Sequence, residues 1–122
     1  MNEFSPDRAA VLAKAARLAE SSGLTVLDRD CPAGGHRLDL VTVTSDRTLV
    51  VIEVTVTEPG AVRAQAATIT TLRLLEILHA GAAWMYEHDD HYADFRVDSV
   101  VFSPDGSGEV VPWGGQSTGG VL

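Results

Sequence analysis

Lysine is nearly missing from this chain. Lys14 is the single copy among nine basic residues, set against 17 Asp and Glu, and the formal net charge is −8. Polyphosphates are held mainly by counterion release from many Lys and Arg contacts, so a surface this acidic is expected to bind free DNA or RNA weakly. A basic protein partner or a homodimer fits that charge better. The imbalance sharpens from Ala80 onward, where seven acids (Glu87, Asp89, Asp90, Asp94, Asp98, Asp105, Glu109) stand against one base, Arg96. Cysteine is scarce too. Cys31 alone excludes an internal disulfide framework and, without a His at helpful spacing, reads as a small packing residue. No apolar run approaches the roughly 20 residues that span a bilayer, and the first 20 residues carry charges instead of an apolar signal core. Both absences argue against a membrane anchor and point to the cytoplasm.

What is present is enough for one domain. With 122 residues and 45% hydrophobic content the chain can bury a core without staples. A single domain is expected over residues 1–113, with "GGQSTGGVL" as a flexible tail at 114–122. "SPDRAAVLAKAARLAESSG" is punctuated as a helix, with Ser5 as N-cap, Pro6 at the first helical position, Asp7 in the first turn and Gly23 past the end. Its apolar stripe, Val11, Ala15, Leu18 and Ser22, is small and weak. "LTVLDRD" reads as a short strand ended by the turn "CPAGG". Two stronger strands follow, "RLDLVTV" and "TLVVIEVTV", joined by "TSDRT".

Centring that turn on Asp46 fixes a register in which paired residue numbers sum to 92, setting Val43 against Leu49 and Val41 against Val51. The same register puts Asp39 opposite Glu53 and Arg37 opposite Thr55. Alternation along the strands would give these four one face, with Leu38, Leu40, Val50, Ile52, Val54 and Val56 on the other. After "EPG" a long helix is expected from about Ala61 to Met85. Ala64, Thr68, Thr71, Leu75, Leu78, Ala82 and Met85 form its stripe, broadened by Ile69, Leu72 and Ile77, so it should be largely buried. "EHDDHYAD" is a polar loop, "FRVDSVVF" a strand, and "VVPW" a short edge strand limited by Pro112. With a helix as crossover the late strand can run parallel to its neighbour, giving an α/β domain with a mixed sheet flanked by helices.

Several residues that suggest chemistry have plainer readings. His88 and His91 lie in one acidic loop, whereas zinc sites draw ligands from separated segments held in a fixed frame. His36 and His79 have no base–nucleophile constellation near them. Trp84 and Trp113 are core or interface anchors, because no basic residues interleave with them as a base-stacking surface would need. "GSG" near the end opens no helix and fails as a phosphate loop.

The order αβββαβ, with "LDLV" on the second strand and "VVIEV" on the third, resembles the YraN-like family of predicted endonucleases, within the restriction-endonuclease-like PD-(D/E)xK superfamily. "GLTVLDRD", "AATITTLRLLEILHAGAAWM" and "RVDSVVF" extend the likeness from about Val11 to Trp113. The resemblance implies that Asp39 and Glu53 hold Mg²⁺ or Mn²⁺, which activates water and stabilises charge on a scissile phosphate. Two carboxylates about 4 Å apart repel by roughly 4 kcal/mol at an effective dielectric of 20, so the pair needs a cation or a proton between them.

Three departures weaken that chemistry. Thr55 stands where the family usually has Lys, Arg37 where it has an acid, and Leu12 where it has an early helical Glu. Arg37 or Arg73 could supply a displaced cation, although guanidinium cannot act as a general base. For Arg37 a plain cross-strand salt bridge to Glu53 or Asp39 is the simpler role. Two functions follow. The first is a catalytically impaired binding or accessory module acting through a protein partner. The second is an Mg/Mn-dependent DNA endonuclease using Asp39 and Glu53 with Arg37 or Arg73. The first is favoured, so the chain leans away from being an enzyme.

Overall fold

In a computed structural model the described residues are 7–57, 69–88 and 91–112. Helix α1 (Arg8–Ser21) is followed by strands β1 (Thr25–Ala33), β2 (His36–Val43) and β3 (Thr48–Val56), helix α2 (Thr71–His88), and strands β4 (Asp94–Phe102) and β5 (Gly108–Pro112). The strands form one sheet in the order β1-β2-β3-β4-β5. Only β3 and β4 are parallel, with Glu53 beside Ser99 and Thr55 beside Val101. The expected αβββαβ order and mixed α/β sheet are therefore present, with β5 added as an antiparallel edge.

Two apolar clusters sandwich the sheet. Leu12, Ala15, Ala16 and Ala19 of α1 pack on Leu40, Val50, Ile52, Val54 and Val100. On the other face Ile77, Ala80 and Trp84 of α2 pack on Leu38, Val41, Leu49, Val51 and Val97. The alanines explain how α1 serves despite its weak stripe: small side chains let the helix lie close to a β-branched sheet. Its end is a Schellman motif. Gly23, at φ +93°, donates its N–H to Glu20 O, and Leu24 N–H reaches Ala19 O.

The register from the "TSDRT" turn is the observed one, running from Val43↔Leu49 to Leu40↔Ile52. Thr44 closes the turn: its hydroxyl accepts the Thr48 N–H and binds the Asp46 carboxylate. Other expectations need correction. β1 does not stop before "CPAGG" but continues through Cys31 and Pro32 to a two-residue turn at Gly34 and Gly35, both at positive φ. Pro32 is tolerated because β1 is an edge strand. Leu38 and Leu40 fall in opposite clusters, so the strand is not a plain alternation around Asp39.

The long helix also differs. Its buried residues are Ile77, Ala80, Gly81 and Trp84, while Leu72, Leu75 and Leu78 are exposed. Leucines on both sides make the stripe ambiguous in sequence; packing selects the one with the glycine. A Cβ on Gly81 would stand 2.6 Å from the Phe95 ring, so that side alone can approach β4 closely. Ser5, Pro6, the "EPG" turn, Ala61–Thr68, Asp89, Asp90, Trp113 and the 114–122 tail lie outside the described residues. Among the described residues no helix is long and apolar enough to cross a membrane.

Candidate functional site: two carboxylates, each held by an arginine

Asp39 and Glu53 reach the same end of the β2–β3 hairpin by different routes. The main-chain ladder stops at Leu40↔Ile52. One step further the Asp39 side chain replaces a rung, its Oδ2 accepting the Val54 N–H at 2.8 Å. Its other oxygen, Oδ1, accepts from Arg8 Nη2 at 2.7 Å. Arg8 comes from the first turn of α1 and also lies 3.5 Å from Val54 O. Asp39 thus sits in the seam where β2 and β3 part, reached from the α1 side.

Glu53 belongs to the α2 side. Arg73, in the first turn of α2, grips it with two bonds, Nε to Oε2 at 2.9 Å and Nη2 to Oε1 at 3.1 Å. The same guanidinium donates to Glu76 Oε1 at 3.2 Å and to the Arg37 carbonyl at 2.8 Å, stitching α2 to both strands. Bidentate geometry is the strong form of this interaction. It raises the Arg73 pKa further above its ordinary value, chiefly through the Glu53 hydrogen bonds, with burial opposing and the Asp39 charge adding to the rise. Arg73 and Glu53 side chains are 25% and 22% exposed, intermediate between a surface pair and a buried one.

Of the expected site residues, Asp39, Glu53 and Arg73 lie at one end of the β2–β3 hairpin, but Asp39 turns to Arg8 of α1 instead of sharing a face with Glu53, and Arg37 is not among them. Arg37 was expected across from Thr55 or bound to Glu53 or Asp39. Its side chain instead turns to β1, donating from Nε to Asp30 Oδ1 at 3.0 Å and from Nη2 to Asp30 O at 2.6 Å. The cause is local: Asp30 adopts φ +48°, and β2 at this level pairs with β1 through Pro32↔Arg37. Thr55 remains on the β3–β4 side and brings no charge. Leu12 is buried in the α1 cluster, one turn beyond Arg8. Arg8 was the residue that sequence reasoning missed, since its partner lies 31 positions away.

The donor chemistry decides what this arrangement can hold. All four oxygens of the pair already accept a hydrogen bond from Arg8, Val54 or Arg73. No group of three or more His, Cys, Asp or Glu with metal-binding spacing exists among the described residues. A divalent ion at this pair would compete with the two guanidinium groups for the carboxylate charge.

Of the plain readings elsewhere, Trp84 is the buried anchor expected, whereas His88 closes α2 instead of lying in a loop. The His88 ring stacks on Trp84 at 3.9 Å between centroids, and Trp84 Nε1 donates to Asp28 Oδ2 at 3.1 Å. Burial, then the Asp28 charge, pushes the Cys31 thiol up to about 11.

A family model described as "Uncharacterised protein family UPF0102" matches residues 13–102. The chain belongs to UPF0102. A UPF0102 protein of Beutenbergia cavernae is 36% identical over 89 residues, covering 71% of this chain and 73% of the relative. Among solved structures the chain is similar to a repair endonuclease from Pyrococcus abyssi, at 15% identity and a TM-score of 0.43. That likeness covers 85% of this chain, which spans 40% of the endonuclease. Arg73, Asp39 and Glu53 lie within the matched residues, and Arg8 precedes them.

Proposed function

We propose that this UPF0102 chain is a divergent nuclease-fold module that binds instead of cutting, an accessory protein acting through a protein partner. The observation that carries the reading is the pair of arginine clamps, Arg8 on Asp39 and Arg73 on Glu53. Each carboxylate needs a counter-charge, and each has a guanidinium in hydrogen-bond contact, so the pair is neutralised without a metal. Thr55 supports the same reading, because a hydroxyl gives no positive charge to a phosphoryl transition state. The net charge of −8 disfavours a phosphate backbone and suits a basic protein surface.

The test is a cleavage assay on branched, single-stranded and duplex DNA with Mg²⁺ or Mn²⁺. The expected result is no cleavage above that of a Glu53→Gln control. Cleavage by the wild type that vanishes in Glu53→Gln would overturn the proposal. That outcome would establish the second reading, an Mg/Mn-dependent endonuclease with Arg73 as displaced cation. One observation favours this alternative: Arg73 lies close enough to both carboxylates to respond to each, as a phosphate-neutralising group would have to.

A further inference from the structure

The outward face of α2 carries four of the five large apolar side chains left exposed on the described residues. Leu72 is 69% exposed, Leu75 57%, Leu78 43% and Tyr86 88%. They recur at helical spacing with His79 and Ala82 between them, so they form one stripe along the helix. From Thr71 to Tyr86 no exposed position of this helix is Asp, Glu, Lys or Arg. In a chain that is 21% charged, the exposed face of an 18-residue helix would ordinarily be charged. Of the helix's own Arg and Glu residues, Arg73 and Glu76 turn into the carboxylate site, and the exposed Glu87 lies at its end, beyond Tyr86.

We infer that this face is the interface of a homodimer, formed by two α2 helices packed antiparallel about a two-fold axis near His79. The argument for a second copy is the symmetry of the stripe. About position 79 an antiparallel partner places Leu72 opposite Tyr86 and Leu75 level with Ala83, so a large side chain meets a small one near the centre and the ends close with Leu on Tyr. A two-fold interface must be self-complementary in this way. Charge argues in the same direction. A basic partner would find no carboxylate on this face, whereas an identical uncharged face presents no like-charge contact despite a net charge of −8 on each chain. The area suffices: the four side chains leave roughly 500 Å² per protomer, or about 1,000 Å² in the pair, the threshold for a specific interface. Because Arg73 begins the same helix, dimerisation would fix the element that holds Glu53, without depending on whether that site takes a metal.

The experiment uses the full chain. Sedimentation equilibrium on the wild type should give twice the 12.9 kDa chain mass at micromolar concentration. Leu75→Glu should sediment as a folded monomer with an unchanged circular dichroism spectrum, while Leu27→Glu, at the exposed leucine on β1, stays dimeric. Cysteine cross-linking reads the geometry, since the native Cys31 is buried. His79→Cys should form a disulfide-linked dimer under mild oxidation. Leu72→Cys should not, because antiparallel packing separates its two copies by about 21 Å along the axis. Mixing Leu72→Cys with Tyr86→Cys should restore cross-linking. A monomeric wild type overturns the inference. In that case a loss of stability in Leu75→Glu would assign the face to the chain's own residues, and unchanged stability would assign it to a partner of other chemistry. A dimer that survives Leu75→Glu, or in which Leu72→Cys cross-links to itself, overturns it equally.

Discussion

Removing the charge from Glu53 should cost less than removing it from Arg73, and the asymmetry follows from who is left without a partner. In Glu53→Gln, Arg73 keeps Glu76 and the Arg37 carbonyl, so its guanidinium remains satisfied. The expected loss is about 1 kcal/mol, near the value for a partly exposed charge-assisted pair. In Arg73→Gln, Glu53 loses both donors at a site only 22% exposed, and the Arg37 carbonyl loses one as well. That cost should be about 2–3 kcal/mol, short of the 3–5 expected when a fully buried pair is broken. The double variant Glu53→Gln/Arg73→Gln should recover about 1 kcal/mol relative to the sum of the single effects. Urea unfolding of the four proteins, with equal m-values, measures the cycle. A coupling within ~0.3 kcal/mol of zero would refute the bidentate clamp, as would Glu53→Gln proving the costlier single change.

Other outcomes follow from packing and titration. Gly81→Ala should destabilise by about 1–3 kcal/mol in thermal melts, although helix propensity alone favours Ala by about 1 kcal/mol, because the added methyl would stand 2.6 Å from the Phe95 ring. Leu12→Ala should cost about 2–5 kcal/mol in urea unfolding as a buried core deletion, and no gain of DNA cleavage should accompany Leu12→Glu, which would instead unfold the chain. The raised Cys31 thiol should resist alkylation at pH 8 in the native state and react when urea is added. The same shift works against stability at high pH. The unfolded thiol loses its proton from about 9.0 and the folded one only near 11, so this contribution is complete below pH 9.0 and falls through that window, which alkaline unfolding curves of wild type and Cys31→Ala would compare.

The β2–β3 register was legible because the "TSDRT" turn is short, and the length of a hairpin turn fixes the pairing of the strands it joins. The same register brings Asp39 and Glu53 to one end of the hairpin, but the ladder stops at Leu40↔Ile52, so they are not the cross-strand pair expected, and their partners were not legible. Arg8 meets Asp39 across 31 residues and Arg73 meets Glu53 across 20, distances over which no periodicity carries information. Arg37 was misdirected because Asp30 takes a positive φ that its sequence does not announce. On α2, leucines line both sides of the helix, and only the close approach of Gly81 to Phe95 shows which side is inward.

The most direct test of the account is titration calorimetry with Mn²⁺ on the wild type and on Arg8→Ala/Arg73→Ala. The clamps predict no binding by the wild type at millimolar Mn²⁺, and measurable binding once both guanidinium groups are removed and the carboxylates are left without counter-charge. Micromolar binding by the wild type, abolished in Asp39→Asn, would contradict it.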